Sequence, residues 1–163
     1  MDIQALTGSA AVVTVSDGVD AGTRVDRSGE ALAERLEREG FAVRHRAVVP
    51  DDADRVTTEL RRLVGMVGLV VTTGGTGFGP RDVTPEATAA MVERPAPGMM
   101  TLMLTEGISK TPMAALSRGV VGSTGPTLIV NLPGSPRGAI ENLEALLPVI
   151  PHALRLLAGD TEH

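Results

Sequence analysis

The sequence predicts an α/β fold of three layers: a mostly parallel sheet with helices on both faces and a short antiparallel addition. Three observations predict it. Short β-branched runs alternate with segments of helical apolar spacing through the first half of the chain, the pattern that right-handed crossovers turn into a parallel sheet. Each run ends in a turn rich in glycine, aspartate or proline. Two later runs flank the tight turn GSTGP, which suits an antiparallel pair.

Residues 10–15 (AAVVTV) read as a buried strand ending at Ser16-Asp17-Gly18, and the long polar stretch DGVDAGTRVDRSG follows. A helix spans about 29–39, with Leu32 and Leu36 on one face and Gly40 as its stop. Residues 41–49 form a second strand, ended by Pro50-Asp51-Asp52. Val56, Leu60, Leu63 and Val64 fall at helical spacing, and 67–72 are a third strand. The stretch VVTTGGTGFGPRDVTPEAT then runs from strand end through a glycine-rich loop into a helix start, with Thr84 as N-cap before Pro85. After the proline-rich 94–98, MMTLMLTEG reads as a buried helix. Residues 113–121 and 127–132 are read as strands. The last helix starts at Ser135-Pro136 and carries Ile140, Leu143, Leu147, Ile150, Leu154 and Leu157 as one stripe, kinked by Pro148 and Pro151. One domain over 1–163 is expected, since 42% of the residues are hydrophobic and the length can bury its own core.

Composition excludes several function classes. A formal charge of −5 argues against a polyanion partner, and Phe41 and Phe78 are the only aromatics, too few to stack bases, so nucleic acid is not expected. No apolar run reaches the roughly 18 residues of a membrane span. The start MDIQALTGSA lacks the basic and apolar regions of a signal peptide, so no membrane association and a cytoplasmic location are expected. Without cysteine there is no thiolate nucleophile and no Cys-rich zinc site, and His45, His152 and His163 are too scattered for a metal cluster. Any metal must be bound by oxygen. The single lysine, Lys110, leaves little room for lysyl-adenylate or Schiff-base chemistry, so basic contacts fall to arginine.

In a parallel sheet the strands' carboxyl ends share one rim, which collects Ser16-Asp17, Asp51-Asp52 and the loop from Thr73 through Gly74, Gly75, Thr76 and Gly77 to Asp82. An amide-rich loop before a helix suits an anion, but a carboxylate inside it repels phosphate unless a metal lies between. Two acids beside a phosphate cradle suit Mg²⁺, which takes one or two carboxylates plus phosphate oxygens. Asp51 and Asp52 read equally well as a helix N-cap, and Asp82 as an Asx turn. A second anion candidate is Asn131-Leu132-Pro133-Gly134-Ser135-Pro136-Arg137-Gly138, with Ser117 and Arg118 close in sequence; Ser135 as a cap and Gly134 as a turn would explain it structurally. Neither loop is GxxxxGK[ST] or GxGxxG.

Taken together, VTVSDGV, TTGGTGFGPRDVTPEAT, LSRGVVG and TLIVNLPGSPRG resemble the MogA/MoaB family of molybdenum cofactor biosynthesis proteins, in family order and across nearly the whole chain. The resemblance implies a compact α/β domain, usually trimeric, that binds molybdopterin. In the MogA branch it implies adenylylation of the terminal phosphate by Mg-ATP with release of pyrophosphate, and hand-over of the product to the molybdenum-inserting enzyme. The family's two functional, metal-binding aspartates fall on Asp51 and Asp82, with Asp52 as the alternative to the first. Gly74 to Gly77 are assigned to nucleotide and metal, and Ser117, Arg118 and the Ser135 region to the pterin phosphate. The alternative function is a non-catalytic molybdopterin carrier.

Overall fold

Alternation of side chains along the strands divides the core in two. In the computed structural model, which describes residues 2–161, β1 (Ser9–Val15) sends Ala10 and Val12 to one face and Ala11, Val13 and Val15 to the other. In β3 (Leu69–Thr73) and β6 (Thr127–Leu132), Leu69, Val71, Leu128, Val130 and Leu132 join the first set and Val70 and Ile129 the second. A strand buried on both faces needs a layer of helices on each. His163 lies outside the described residues.

The six-stranded sheet has the order β2-β1-β3-β6-β5-β4. β2 (Ala42–Val49), β1, β3 and β6 are parallel, while β5 (Val121–Thr124) and β4 (Arg94–Pro95) add antiparallel to one side. On one face, α3 (Arg27–Arg38) packs Leu32 and Leu36 into the core beside Leu143 and Leu146 of α7 (Pro136–Leu146) and Ile150 and Leu154 of α8 (Ile150–Leu157). On the other, α4 (Ala53–Leu63) contributes Val56, Leu60 and Leu63, and α5 (Thr84–Ala89) contributes Ala87. Single turns α1 (Ile3–Thr7) and α2 (Asp17–Asp20) flank β1. The three layers and the antiparallel addition agree with the sequence-based expectation. Among the described residues no helix is long and apolar enough to cross a membrane.

Four expectations need correction. Residues 113–121 are not a strand: Thr111 Oγ1 accepts the Met113 N–H, Pro112 starts a 3₁₀ turn over Pro112–Leu116, and pairing begins only at Val121. The last helix is broken rather than kinked. Pro148, which has no N–H to donate, falls between α7 and α8, and Pro151 sits in the first turn of α8, where a missing N–H costs nothing. Thr84 is the first residue of α5 rather than its cap, because its hydroxyl donates to Gly74 O at 2.9 Å. Finally, α6 (Pro97–Lys110) is helical but buries only Met103 and Gly107, and Leu102, Leu104 and Ile108 are exposed.

Candidate active site

The parallel strands end on one rim, and their following loops enclose a polar cavity of about 720 Å³. Ser16 follows β1, Asp51 follows β2, Thr73, Gly74 and Gly75 close β3, and Gly134 and Ser135 follow β6; all line it, as does Asp82. The two glycine loops meet there. A Cβ on Gly134 would lie 3.3 Å from Gly74 Cα, and Thr73 Oγ1 donates to Pro133 O at 2.7 Å. Gly74 has φ +99, and a Cβ on it would lie 2.3 Å from Val15 O, so only glycine lets the loop pass this close to β1.

The two aspartates after β2 separate by role. Asp52 Oδ1 accepts the Arg55 N–H at 2.9 Å and caps α4. Asp51 instead exchanges bonds with Asp17: the Asp17 N–H donates to Asp51 Oδ2 at 2.8 Å, and the Asp51 N–H to Asp17 Oδ1 at 3.0 Å. This reciprocal pair ties the β1 and β2 loops together and aims Asp51 Oδ1 at Gly75, whose Cβ position lies 3.1 Å away. Partial burial pushes the Asp51 carboxyl above the usual range; the Asp17 N–H opposes this, and the charges of Asp17 and Asp82 add to it. Hydrogen bonds from Arg81 hold Asp17 below its usual value. Asp82 Oδ2 accepts the Gly79 N–H at 2.9 Å while the Asp82 N–H donates to Gly79 O, so the side chain closes the turn from its far end; the donor lies three residues back rather than two ahead, and this is not an Asx turn.

Other candidates are placed differently. Arg118 does not face the cavity. Its Nε donates to Gly77 O at 2.8 Å and Nη2 to Asp82 O at 3.1 Å, Nη1 pairs with Glu86, and its Cζ lies over the Phe78 ring, 5.3 Å from the centroid. It is a clasp on the glycine loop. Thr76 is buried and its carbonyl accepts the Arg118 N–H. Asn131 is fully buried, donating to the Thr72 and Thr88 hydroxyls and accepting from Val120 N, which makes it a cross-link between sheet and α5. Arg137 extends into solvent beside Glu141. Ser135 caps α7 by accepting the Gly138 N–H at 3.1 Å. Ser117 and Pro133 line a second cavity of about 300 Å³, largely apolar, formed with Met100, Met103 and Leu104 of α6 and Asn142 of α7. Arg118→Ala is expected to cost roughly 1.5–3 kcal/mol, the worth of charge-assisted bonds, and to expose residues 74–82 to proteolysis; urea unfolding and limited digestion measure both.

Sequence reasoning missed the wall opposite the glycine loops. Asp26 accepts from Thr14 Oγ1 at 2.9 Å and from Gly29 N at 3.0 Å, and so caps α3, whose first residues Arg27 and Ser28 line the polar cavity with Arg24. The signal was present as an Asp three residues ahead of Gly29, the cap-to-N3 spacing.

The donor set admits Mg²⁺. Asp51 and Asp82 offer hard carboxylate oxygens on one cavity, and glycine at 75 keeps the space beside Asp51 Oδ1 clear, since a Cβ there would lie 3.1 Å from that oxygen and 2.4 Å from Thr84 Oγ1. Among the described residues no three acidic or histidine side chains could hold an ion by themselves, so phosphate and water oxygens would have to complete its shell.

Glycine loops that touch at the ends of adjacent parallel strands, with the Asp51 and Asp82 carboxylates on the same cavity, have the make-up of a protein that holds a phosphorylated ligand. The family model described as probable molybdopterin binding domain matches residues 11–152, and the chain belongs to the MogA/MoaB family of molybdenum cofactor biosynthesis proteins. It is 37% identical to the molybdopterin adenylyltransferase of Helicobacter pylori (strain J99) over 91% of this chain and 87% of that one. It is 41% identical to the molybdenum cofactor synthesis protein cinnamon of Drosophila melanogaster, matching with 91% of its own length 25% of that much longer protein. The crystal structure of the molybdopterin biosynthesis enzyme MoaB from Thermus thermophilus superimposes with a TM-score of 0.87 at 48% identity, covering 93% of this chain and 96% of that one.

Proposed function

We propose that residues 1–163 act as one molybdopterin-binding domain that adenylylates molybdopterin: the terminal phosphate oxygen attacks the α-phosphorus of ATP, and pyrophosphate leaves. The observation that carries this is the pairing of cavities across one loop. Pro133 walls the apolar cavity, and Gly134 and Ser135 wall the polar one. A pterin ring suits the first, a triphosphate the second, and their phosphates meet at the touching glycine loops. The N-terminus of α7 and the amides of the glycine loop are disposed to receive phosphate oxygens. Asp51 and Asp82 would hold Mg²⁺, which supplies charge neutralisation at the transferring phosphorus. Arg118, by clasping the loop that carries Asp82, serves nucleotide binding. Arg118→Ala is therefore expected to weaken Mg-ATP binding more than molybdopterin binding, the reverse of a pterin-phosphate fork, and separate titrations decide between the two.

An ATP-consuming step suits a cytoplasmic location, and the adenylylated product would pass to the molybdenum-inserting enzyme. The apolar residues exposed on α6 favour self-association, for which the family resemblance suggests a homotrimer, and light scattering at micromolar concentration would show it. Mixing the protein with molybdopterin and Mg-ATP should release pyrophosphate. Molybdopterin binding without pyrophosphate would make it a carrier instead.

A further inference from the structure

Arg81 precedes Asp82 on the glycine loop, yet its side chain reaches across to the loop after β1. Nε lies 3.0 Å from Asp17 Oδ2 and Nη2 2.9 Å from Asp17 Oδ1, a two-pronged fork. Asp17 is itself locked to Asp51 by the exchanged backbone bonds, and the charges of Asp51 and Asp52 also act on Arg81. Both members are open to water, with side chains 64% and 46% exposed. An ion pair in that setting adds little to folding and separates easily. Its location is informative: neither residue lines the polar cavity, but each is the chain neighbour of one that does, Arg81 of Asp82 and Asp17 of Ser16, so the pair bridges two stretches of the cavity wall.

A guanidinium fork fits a carboxylate and a phosphate with the same geometry, and a triphosphate offers more negative charge than one carboxylate. We propose that Arg81 is a nucleotide-binding residue that exchanges partners, resting on Asp17 in the ligand-free protein and transferring its fork to the β- or γ-phosphate of the entering nucleoside triphosphate. Asp17 is then the competitor that sets how readily the fork is given up. The inference rests on the reading of the polar cavity as a nucleotide site. Transfer would join the glycine loop to the ligand itself, and a nucleoside without phosphates could not draw the fork away.

The test is a double-mutant cycle on the full chain, titrated with Mg-ATP and, separately, with adenosine by calorimetry. Arg81→Ala should weaken Mg-ATP binding about tenfold, in keeping with loss of one charge-assisted contact, and leave adenosine unaffected. Asp17→Asn, which keeps the side-chain volume but weakens the resting partner, should tighten Mg-ATP by a few-fold. In the Arg81→Ala background the Asp17→Asn change should lose most of that gain. Arg81→Lys, a point charge without the fork, should fall between wild type and Arg81→Ala. Weakening by both single substitutions would show a merely structural tie and overturn the proposal, as would an Asp17→Asn gain that persists without Arg81. Unaltered Mg-ATP affinity in Arg81→Ala, with wild type binding normally, would overturn the exchange alone. Failure of wild type to bind Mg-ATP would remove the nucleotide reading as well.

Discussion

Asp82→Asn is expected to leave the fold intact and to lower adenylyl transfer by about two to three orders of magnitude, the scale of losing one preorganised electrostatic partner of a transition state. The Asp82 carboxylate holds its turn by accepting the Gly79 N–H, a bond that an amide oxygen can still accept, so the turn survives while the charge is lost. Asp51→Asn should behave similarly, because Asn Oδ1 can keep the bond from Asp17 N. Asp52→Asn should leave transfer near the wild-type rate, as Asn caps a helix about as well as Asp. Pyrophosphate release measured beside an unfolding curve tests all three. Near wild-type turnover in Asp82→Asn would refute the metal-holding role.

Gly74→Ala should be the most damaging small substitution at the site, costing roughly 2–5 kcal/mol. Two penalties add. An L side chain at φ +99 is strained, and its Cβ would sit 2.3 Å from Val15 O, so strand β1 or the glycine loop must move. Gly125→Ala is the control, since φ there is +52 but nothing lies within 4 Å of the added carbon. It should show the smaller penalty of backbone strain alone. Urea midpoints of the two variants separate steric exclusion from strain, and equal losses would mean that the loop is not pressed against β1.

The layers were legible because short, continuously apolar runs alternate with stretches of three-to-four-residue apolar spacing, and β1, β3 and β6 carry no charged side chain to blur the contrast. The break between α7 and α8 was hidden for the opposite reason: both helices pack on the same sheet face, so Leu143, Ile150 and Leu154 continue one stripe through the interruption. Asp51 and Asp52 could not be distinguished in sequence, because adjacent residues at a strand end point in opposite directions and a one-residue shift exchanges their roles. Nor could the work of Arg118 be read, since two of its acceptors are main-chain carbonyls of a loop some forty residues earlier and carry no residue-type signature. An Arg between two glycine-rich anion loops looks like a phosphate ligand until the chain is folded.

The two borders of the sheet constrain how copies of this chain meet. At one border β4 is two residues long and includes Pro95, which has no N–H to offer a further strand. At the other, β2 alternates in exposure and projects the charged Arg44 and Arg46. Short length, proline and charge are the features that stop strands from extending a sheet from one molecule into the next. Hydrogen-bonded growth is disfavoured at both borders, so contact between copies would rest on side-chain packing. A strand edge renews itself with every copy added, whereas packed side-chain surfaces end wherever the rotation between copies closes on itself, so the symmetry of that contact would set the size of an assembly.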